Sequence, residues 1–274
     1  MMGDGKRPTR DLGVSAMKRT FAAFAVLLAV ATYASAEEKQ QPKIIWHGQS
    51  FFEVISSAGT RVILDPHAIE AYGRIEVDGD LILMSHLHTD HTQVDVVKDF
   101  KKVKQFNALK DAKGDGRRVE FVPINEKFKD VKFRDVASFH DPKGGLLRGR
   151  NGIWVIEMDG LHIVHLGDLG QILTEEQVKE IGPVDVLMIP VGGVYTIHGT
   201  DAKTVIEQLK PKRYILPMHY GTRVYDDLPT LDEFLDGQKP TLIKNFDRTN
   251  ELTIDPTAEP PPEPLIAILH WEKK

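Results

Sequence analysis

The sequence predicts an α/β fold in which short buried strands end in polar, metal-ligating side chains. Three observations carry this reading. Mostly apolar runs of strand length, such as Leu81-Ile82-Leu83-Met84 and Val184 to Ile189, are bounded by polar residues. Helical segments alternate with them in the second half, one opened by Thr174 with Glu176 and Gln177 in its first turn. Run after run also stops at a His or an Asp, and the carboxyl ends of strands are where open α/β architectures gather their chemistry.

In chain order, Ile44 to Trp46, Phe51 to Ile55 and Arg61 to Leu64 read as short strands, with Ser57-Ala58-Gly59-Thr60 as a hairpin turn. The chain therefore starts antiparallel. Leu81 to Met84 is a buried strand, Val94 to Phe100 has helical character, and Val103 to Phe106 and Val119 to Val122 return to strand patterns. Phe133 to Phe139 alternates roughly and ends at His140. Ile153 to Met158 and Leu161 to Leu166 form a hairpin around Asp159-Gly160, a pair suited to a tight turn. Glu175 to Ile181 is predicted helical, Val184 to Ile189 extended, Asp201 to Leu209 helical and Tyr214 to Leu216 extended, and Thr230 caps a short helix through Leu235. The proline-rich run Pro256 to Pro264 reads as a stiff connection that returns Leu265 to Trp271 to a sheet.

The N-terminus carries Lys18-Arg19, an apolar stretch from Phe21 through Ala31, and Ala34-Ser35-Ala36 before Glu37. This is the pattern of a secretory signal peptide, and the apolar stretch is short for a spanning helix of about 20 residues. Residues 1–36 are expected to be an N-terminal extension plus leader, with Met17 as the start of the leader, and residues 37–274 one domain exported to a periplasm or the extracellular space. The leader holds five of the 35 basic and two of the 40 acidic residues, so the remainder has 30 against 38 and a formal charge of −8. That balance disfavours nucleic acid or an anionic membrane as partner. No stable membrane insertion is expected once the leader is removed, and the sequence says nothing about oligomeric state. With no cysteine in the chain, disulfides are excluded and any metal must be held by His and carboxylates.

The densest chemistry lies in Ser85-His86-Leu87-His88-Thr89-Asp90-His91, directly after an apolar strand. Three imidazoles and a carboxylate this close gain nothing from crowding unless a cation sits among them. His86 and His88 share a side if the strand conformation persists, whereas Asp90 and His91 are adjacent and require the chain to turn toward a second metal position. His140, Asp168 and His219 also stand at strand ends.

Through His86-Leu87-His88-Thr89-Asp90-His91, His140, Gly167-Asp168 and His219, the sequence resembles the metallo-β-lactamase superfamily over essentially all of residues 37–274. Leu64-Asp65-Pro66, Ile189 to Thr196 and Ile215 to Tyr220 look like the branch containing L-ascorbate 6-phosphate lactonase and related metal-dependent hydrolases. The resemblance implies a four-layer αββα sandwich with the site at one edge of two sheets. It implies His86, His88 and His140 as ligands of a first metal, Asp90, His91 and His219 as ligands of a second, and Asp168 as a bridge. Asp168 also separates the chain from true metallo-β-lactamases, which usually lack it. Two divalent ions, zinc in the first instance with manganese or iron as alternatives, would generate hydroxide near neutral pH and polarise a carbonyl or phosphoryl group. Asp90 is the candidate catalytic group that orients or shuttles the proton. The expected activity is hydrolysis of a small ester, lactone, amide or phosphoester. An iron-dependent oxidoreductase, or a non-catalytic metal-binding protein, is the alternative.

Candidate substrate contacts are His67 after Asp65-Pro66, His198 after Ile197, and Arg148 in the basic, glycine-rich stretch Asp141 to Gly152. That stretch is expected to form a mobile rim, with Lys143, Arg148 or Arg150 receiving an anionic group. His162 and His165 sit within a strand pattern and read as structural, and Gly192-Gly193 as a point of close backbone approach.

Overall fold

The computed structural model describes residues 1–3, 5, 40–113 and 119–271, so the expected leader lies outside the described residues. Contacts divide the chain at Glu37/Glu38, and the fold belongs to the second unit. Among the described residues no helix is long and apolar enough to cross a membrane.

Two sheets face each other. The first has six strands in the order Glu251–Thr253, Lys43–Trp46, Phe52–Ile55, Arg61–Leu64, Leu81–Met84 and Lys104–Asn107. The second has eight, in the order Ile243–Phe246, Leu265–Leu269, Tyr214–Met218, Val186–Pro190, Leu161–His165, Arg150–Met158, Val131–Phe139 and Asn125–Phe128. Leu109–Asp111 and Val119–Phe121 add a small ribbon. The antiparallel start holds: Lys43–Trp46, Phe52–Ile55 and Arg61–Leu64 form a meander. Beyond it Arg61–Leu64, Leu81–Met84 and Lys104–Asn107 run parallel.

The two-residue period of a strand decides which side chains make the core. Leu81 and Leu83 point to the inner face, where they join Phe52, Leu64, Phe133, Trp154 and Leu187 in one core contributed by both sheets. Ile82 and Met84 point the other way and pack with Phe51, Ile63, Val96 and Val97 on the outer face of the first sheet. Both faces of Val186–Pro190 are covered, as expected for a central parallel strand.

Glu175–Ile181 and Gly199–Leu209 are the main helices, and their Ile181, Ala202, Val205 and Leu209 are buried in the same core. Thr174 accepts the backbone N–H of Gln177 while the Gln177 side chain accepts that of Thr174, a reciprocal cap. The α/β sandwich expected from the sequence is present, but its outer layer on the first sheet is thin. Val94 to Phe100 is not a helix. It forms two 3-10 turns, Val94–Val96 and Phe100–Lys102, because β-branched valines dominate it and Asp99 adopts a left-handed φ of 51°. Asp159 and Gly160, at φ 52° and 76°, make the expected tight turn. The proline-rich connection does return Leu265–Leu269 to the second sheet, parallel to Tyr214–Met218 and Ile243–Phe246.

Candidate metal centre

The ligand-bearing loops follow the carboxyl ends of strands. Leu81–Met84 delivers Ser85 and His86, Val131–Phe139 delivers His140, Leu161–His165 leads to Asp168, and Tyr214–Met218 leads to His219. The turn required after His88 is present, with the His91 N–H bonded to the His88 carbonyl at 3.1 Å.

Among the described residues, three groups of side chains have potential ligand atoms within 4.8 Å of one another: His86, His88 and His140; Asp90, His91 and His219; and Asp65, His86 and His91. The first two are the triads implied by the sequence. Asp168 lies between them, with Oδ2 at 3.2 Å from Nε2 of each of His91, His140 and His219 and at 3.8 Å from Nε2 of His86. The structure thus brings all seven implied ligands together. His88 and Asp90 are its more open members, while the other five are buried.

The third group has a different character. Asp65 Oδ1 accepts the Ser85 N–H at 2.6 Å, and Oδ2 accepts the Ser85 hydroxyl at 2.6 Å and the His91 Nδ1–H at 3.0 Å. Ser85 has one hydroxyl proton and gives it to Asp65, so at 2.9 Å from His86 Nδ1 it accepts. Both His86 and His91 therefore carry a proton on Nδ1 and turn Nε2 toward the cluster. A carboxylate behind a histidine in this way is the support a metal-bound imidazole requires.

Asp168 is placed with similar care. Its N–H donates to Asn151 Oδ1 at 2.9 Å, and the Asn151 amide donates to Ser138 Oγ and the Leu166 carbonyl. Ser50 Oγ donates to its Oδ1 at 3.3 Å.

The buried charges of the cluster act strongly on one another. Burial works to raise Asp168, but the surrounding histidines, His219 and His91 foremost, hold it well below the usual carboxylate range. Burial works to lower His91, yet Asp168 and Asp65 hold it well above the usual imidazole range. Burial, then repulsion from His91, puts His86 well below that range. Asp90, which burial would raise, is pulled down to about 2 by its contact with His91. The buried atoms His91 Nε2, His140 Nδ1 and His219 Nδ1 have no hydrogen-bond partner. An orphaned Nε2 whose ring is fixed through the opposite nitrogen is a ligand in waiting, so the residues present fit a bound metal.

Close backbone packing sets the ligand positions. The Gly192 N–H donates to the His219 carbonyl at 3.1 Å, and a Cβ on Gly192 would stand 2.1 Å from that oxygen. Gly192→Ala is therefore expected to displace His219 and weaken binding at the Asp90/His91/His219 position while sparing the other. A metal titration that gives two unchanged affinities would contradict this.

The candidate substrate contacts fare differently. The expectation that His67 lines the site is not met: its Nδ1 accepts from the Ile69 N–H and its Nε2–H donates to the Gly48 carbonyl, and the ring packs beside Phe51 and Tyr72. No ring nitrogen is left for a ligand. Burial pushes His67 down to about 4 from 6.5, so the unfolded chain binds a proton that the fold refuses between those values. Its contribution to stability is full above pH 6.5 and is lost as pH falls to about 4, a span worth about 3 kcal/mol. In urea unfolding, His67→Gln should flatten the fall in stability over that window, and a slope equal to wild type would contradict the assignment.

His198 precedes helix Gly199–Leu209 with its side chain 61% exposed and 3.8 Å from Glu233, and it belongs to none of the three groups above. Arg148 lies on the loop after His140, but its guanidinium is committed, donating to the Val194 carbonyl at 2.7 Å and standing 5.7 Å over the Tyr195 ring. The loop is tightly built: the buried Asp141 carboxylate accepts the N–H groups of Lys143, Gly145, Leu147 and Arg148. His165 Nε2–H donates to the Ser50 carbonyl and its Nδ1 accepts the Gly167 N–H, and His162 pairs with Asp185, so both lie in hydrogen-bonded structural positions. The sequence reading gave no role to Asp65, Ser85, Asn151 or Asp141. Only Asp65, at the end of a strand and before Pro66, carried a positional signal.

Residues 43–219 match the family model of the beta-lactamase superfamily domain. The chain belongs to the metallo-β-lactamase superfamily. A UPF0173 metal-dependent hydrolase of Thermococcus onnurineus is 30% identical over 193 residues, 66% of this chain and 85% of the relative. One from Thermoplasma acidophilum is 29% identical over 66% of this chain and 84% of the relative. Among solved structures, a candidate Zn-dependent hydrolase of this superfamily from Thermotoga maritima superposes with a TM-score of 0.60 at 31% identity, over 83% of this chain and 97% of that one. A Parabacteroides distasonis protein shares the fold at a TM-score of 0.54 and 18% identity, over 73% and 89%. The chain is a metal-dependent hydrolase of this superfamily, with a mixed-sheet αββα sandwich as its fold.

Proposed function

We propose that this hydrolase uses two metal ions, held by His86, His88 and His140 and by Asp90, His91 and His219, with Asp168 shared between them. The observation that carries this reading is the position of Asp168 Oδ2, equidistant at 3.2 Å from one histidine of the first triad and two of the second. Divalent ions there would polarise a carbonyl or phosphoryl oxygen and supply a hydroxide-like nucleophile near neutral pH.

The protein's own residues have distinct tasks. Asp168 places negative charge where two cations would otherwise repel. Asp65 and Ser85 fix the tautomers of His86 and His91, and Asn151 holds the Asp168 backbone. Asp90 is ionised at neutral pH and more open than His91, so it can orient a water and receive its proton. The substrate is a small ester, lactone, amide or phosphoester. With only nitrogen and oxygen ligands, zinc fits the site, and manganese and iron fit the same donors.

Zinc-loaded full-length protein is expected to hydrolyse members of a panel of these four bond types, to lose that activity to a chelator and to regain it on adding zinc. No turnover of any class by fully loaded protein, with oxygen consumption by the iron form, would transfer the chain to oxidative chemistry. Export is part of the proposal: protein from expressing cells should begin at Glu37 and lie outside the cytoplasm. N-terminal sequencing that returns Met1 or Met17 from a cytoplasmic fraction would contradict it.

A further inference from the structure

Apart from Met1 and Met2, every large apolar side chain exposed among the described residues lies on a loop that follows a strand at the metal-centre edge. Leu87 is between two ligands, Leu146 and Leu147 follow His140, Ile172 follows Asp168, Val194 and Tyr195 follow strand Val186–Pro190, and Val224 follows His219. Scattered apolar residues on a surface need no account, but concentration on one set of loops does.

These loops are joined to one another. The Ile197 N–H bonds to the carbonyl of Leu169, next to Asp168, and the Gly192 N–H bonds to that of His219. Gly170 packs so closely on His140 that a Cβ would stand 2.2 Å from the His140 carbonyl carbon. Arg148 then ties the loop after His140 to Val194 and Tyr195. Leu146 is 84% exposed and Leu147 59%, in a loop that four N–H bonds to Asp141 organise, and Tyr195, 51% exposed, stands on the loop that Arg148 joins to it. A prearranged loop that presents two leucines to water gains nothing in the free protein.

Two of the three cations expected from the sequence to receive an anion are already engaged. Arg148 is engaged as described, and the Arg150 guanidinium stands 4.9 Å over the Phe121 ring. We propose that this rim binds the apolar part of the substrate, an aliphatic chain or aromatic ring attached to the bond that is hydrolysed, with Leu146, Leu147 and Tyr195 as its specificity residues. The inference rests on the hydrolase reading above, and continuity between the rim and the ligand loops favours a substrate over other occupants.

The test uses zinc-loaded full-length protein with two probes. One is p-nitrophenyl esters from acetate to octanoate, followed by turnover; the other is the free carboxylates from acetate to decanoate, followed by calorimetric binding. Affinity and kcat/KM should rise about two- to fourfold per added methylene. Leu146→Ser with Leu147→Ser, and separately Tyr195→Ser, should flatten that slope; both sites are exposed, so folding is not at stake. Binding that climbs without turnover of any ester would sink the ester reading and still support the rim. Equal binding along the series would overturn the rim proposal. So would a flat series with wild-type protein, but not the variants, sedimenting with phosphatidylcholine vesicles or forming a concentration-dependent dimer; these results assign the surface to a membrane or to a second copy.

Discussion

Asp168→Asn is expected to hold at most one metal ion where the wild type holds two, and to lose at least about 100-fold of hydrolytic activity. Even outer-shell partners of metal ligands cost 10- to 100-fold when removed, and Asp168 touches the cluster directly. Its Oδ2 faces His91, His140 and His219 at 3.2 Å, so it stands directly between members of both triads. An amide keeps the shape and removes the charge. Two cations in neighbouring positions then repel without an anion between them, and the weaker position empties. The effect should appear in metal stoichiometry before it appears in folding, because the Asp168 N–H bond to Asn151 comes from backbone and survives the substitution. Full occupancy of both positions in the variant would contradict the bridging role.

Asp65→Asn is expected to weaken both metal positions together, by about 10- to 100-fold each, although Asp65 follows a different strand from every ligand. The cause is donor counting. Asp65 accepts from the Ser85 N–H, the Ser85 hydroxyl and His91 Nδ1–H, using two oxygens that accept and never donate. An amide offers one acceptor oxygen and turns an N–H₂ toward the rest. Either Ser85 or His91 loses its partner, and a buried donor left unpaired costs about 1 to 3 kcal/mol of stability as well. Ser85→Ala separates the branches, since it releases His86 and leaves the His91 bond intact. It should therefore weaken only the His86/His88/His140 position. Calorimetric titration of the two variants checks the pattern, and wild-type affinities in Asp65→Asn would remove the carboxylate from the metal site's support.

The candidate ligands were legible in the sequence because unusual residue types stand together at strand ends, where apolar runs such as Leu81–Met84 announce the strand itself. The buried strands were legible for the same reason. Four strands were not: Leu109–Asp111, Asn125–Phe128, Ile243–Phe246 and Glu251–Thr253 are short and largely polar, and they exist because a neighbour pairs with them. Val94 to Phe100 misled because its apolar content belongs to a cover over the first sheet, where two tight turns bury Val96 and Val97 as well as a helix would.

The supporting network was hidden for a different reason. Asp65 and Ser85 are 20 residues apart and Asn151 and Asp168 are 17 apart, so their bonds are products of strand pairing rather than of local pattern. Histidines near ligands in sequence also carry no mark of their tautomer. His67 looked like a pocket residue, yet both nitrogens are consumed by backbone. Arg148 looked like an anion receptor, yet its partners are a carbonyl and a ring from another loop.

The most direct test of the two-position centre is elemental analysis of full-length protein purified without chelators and then saturated with zinc, set beside Asp168→Asn. Two ions per chain in the wild type and at most one in the variant is the predicted result. One ion per chain in the wild type, or none, would contradict the shared-carboxylate centre on which the functional reading stands.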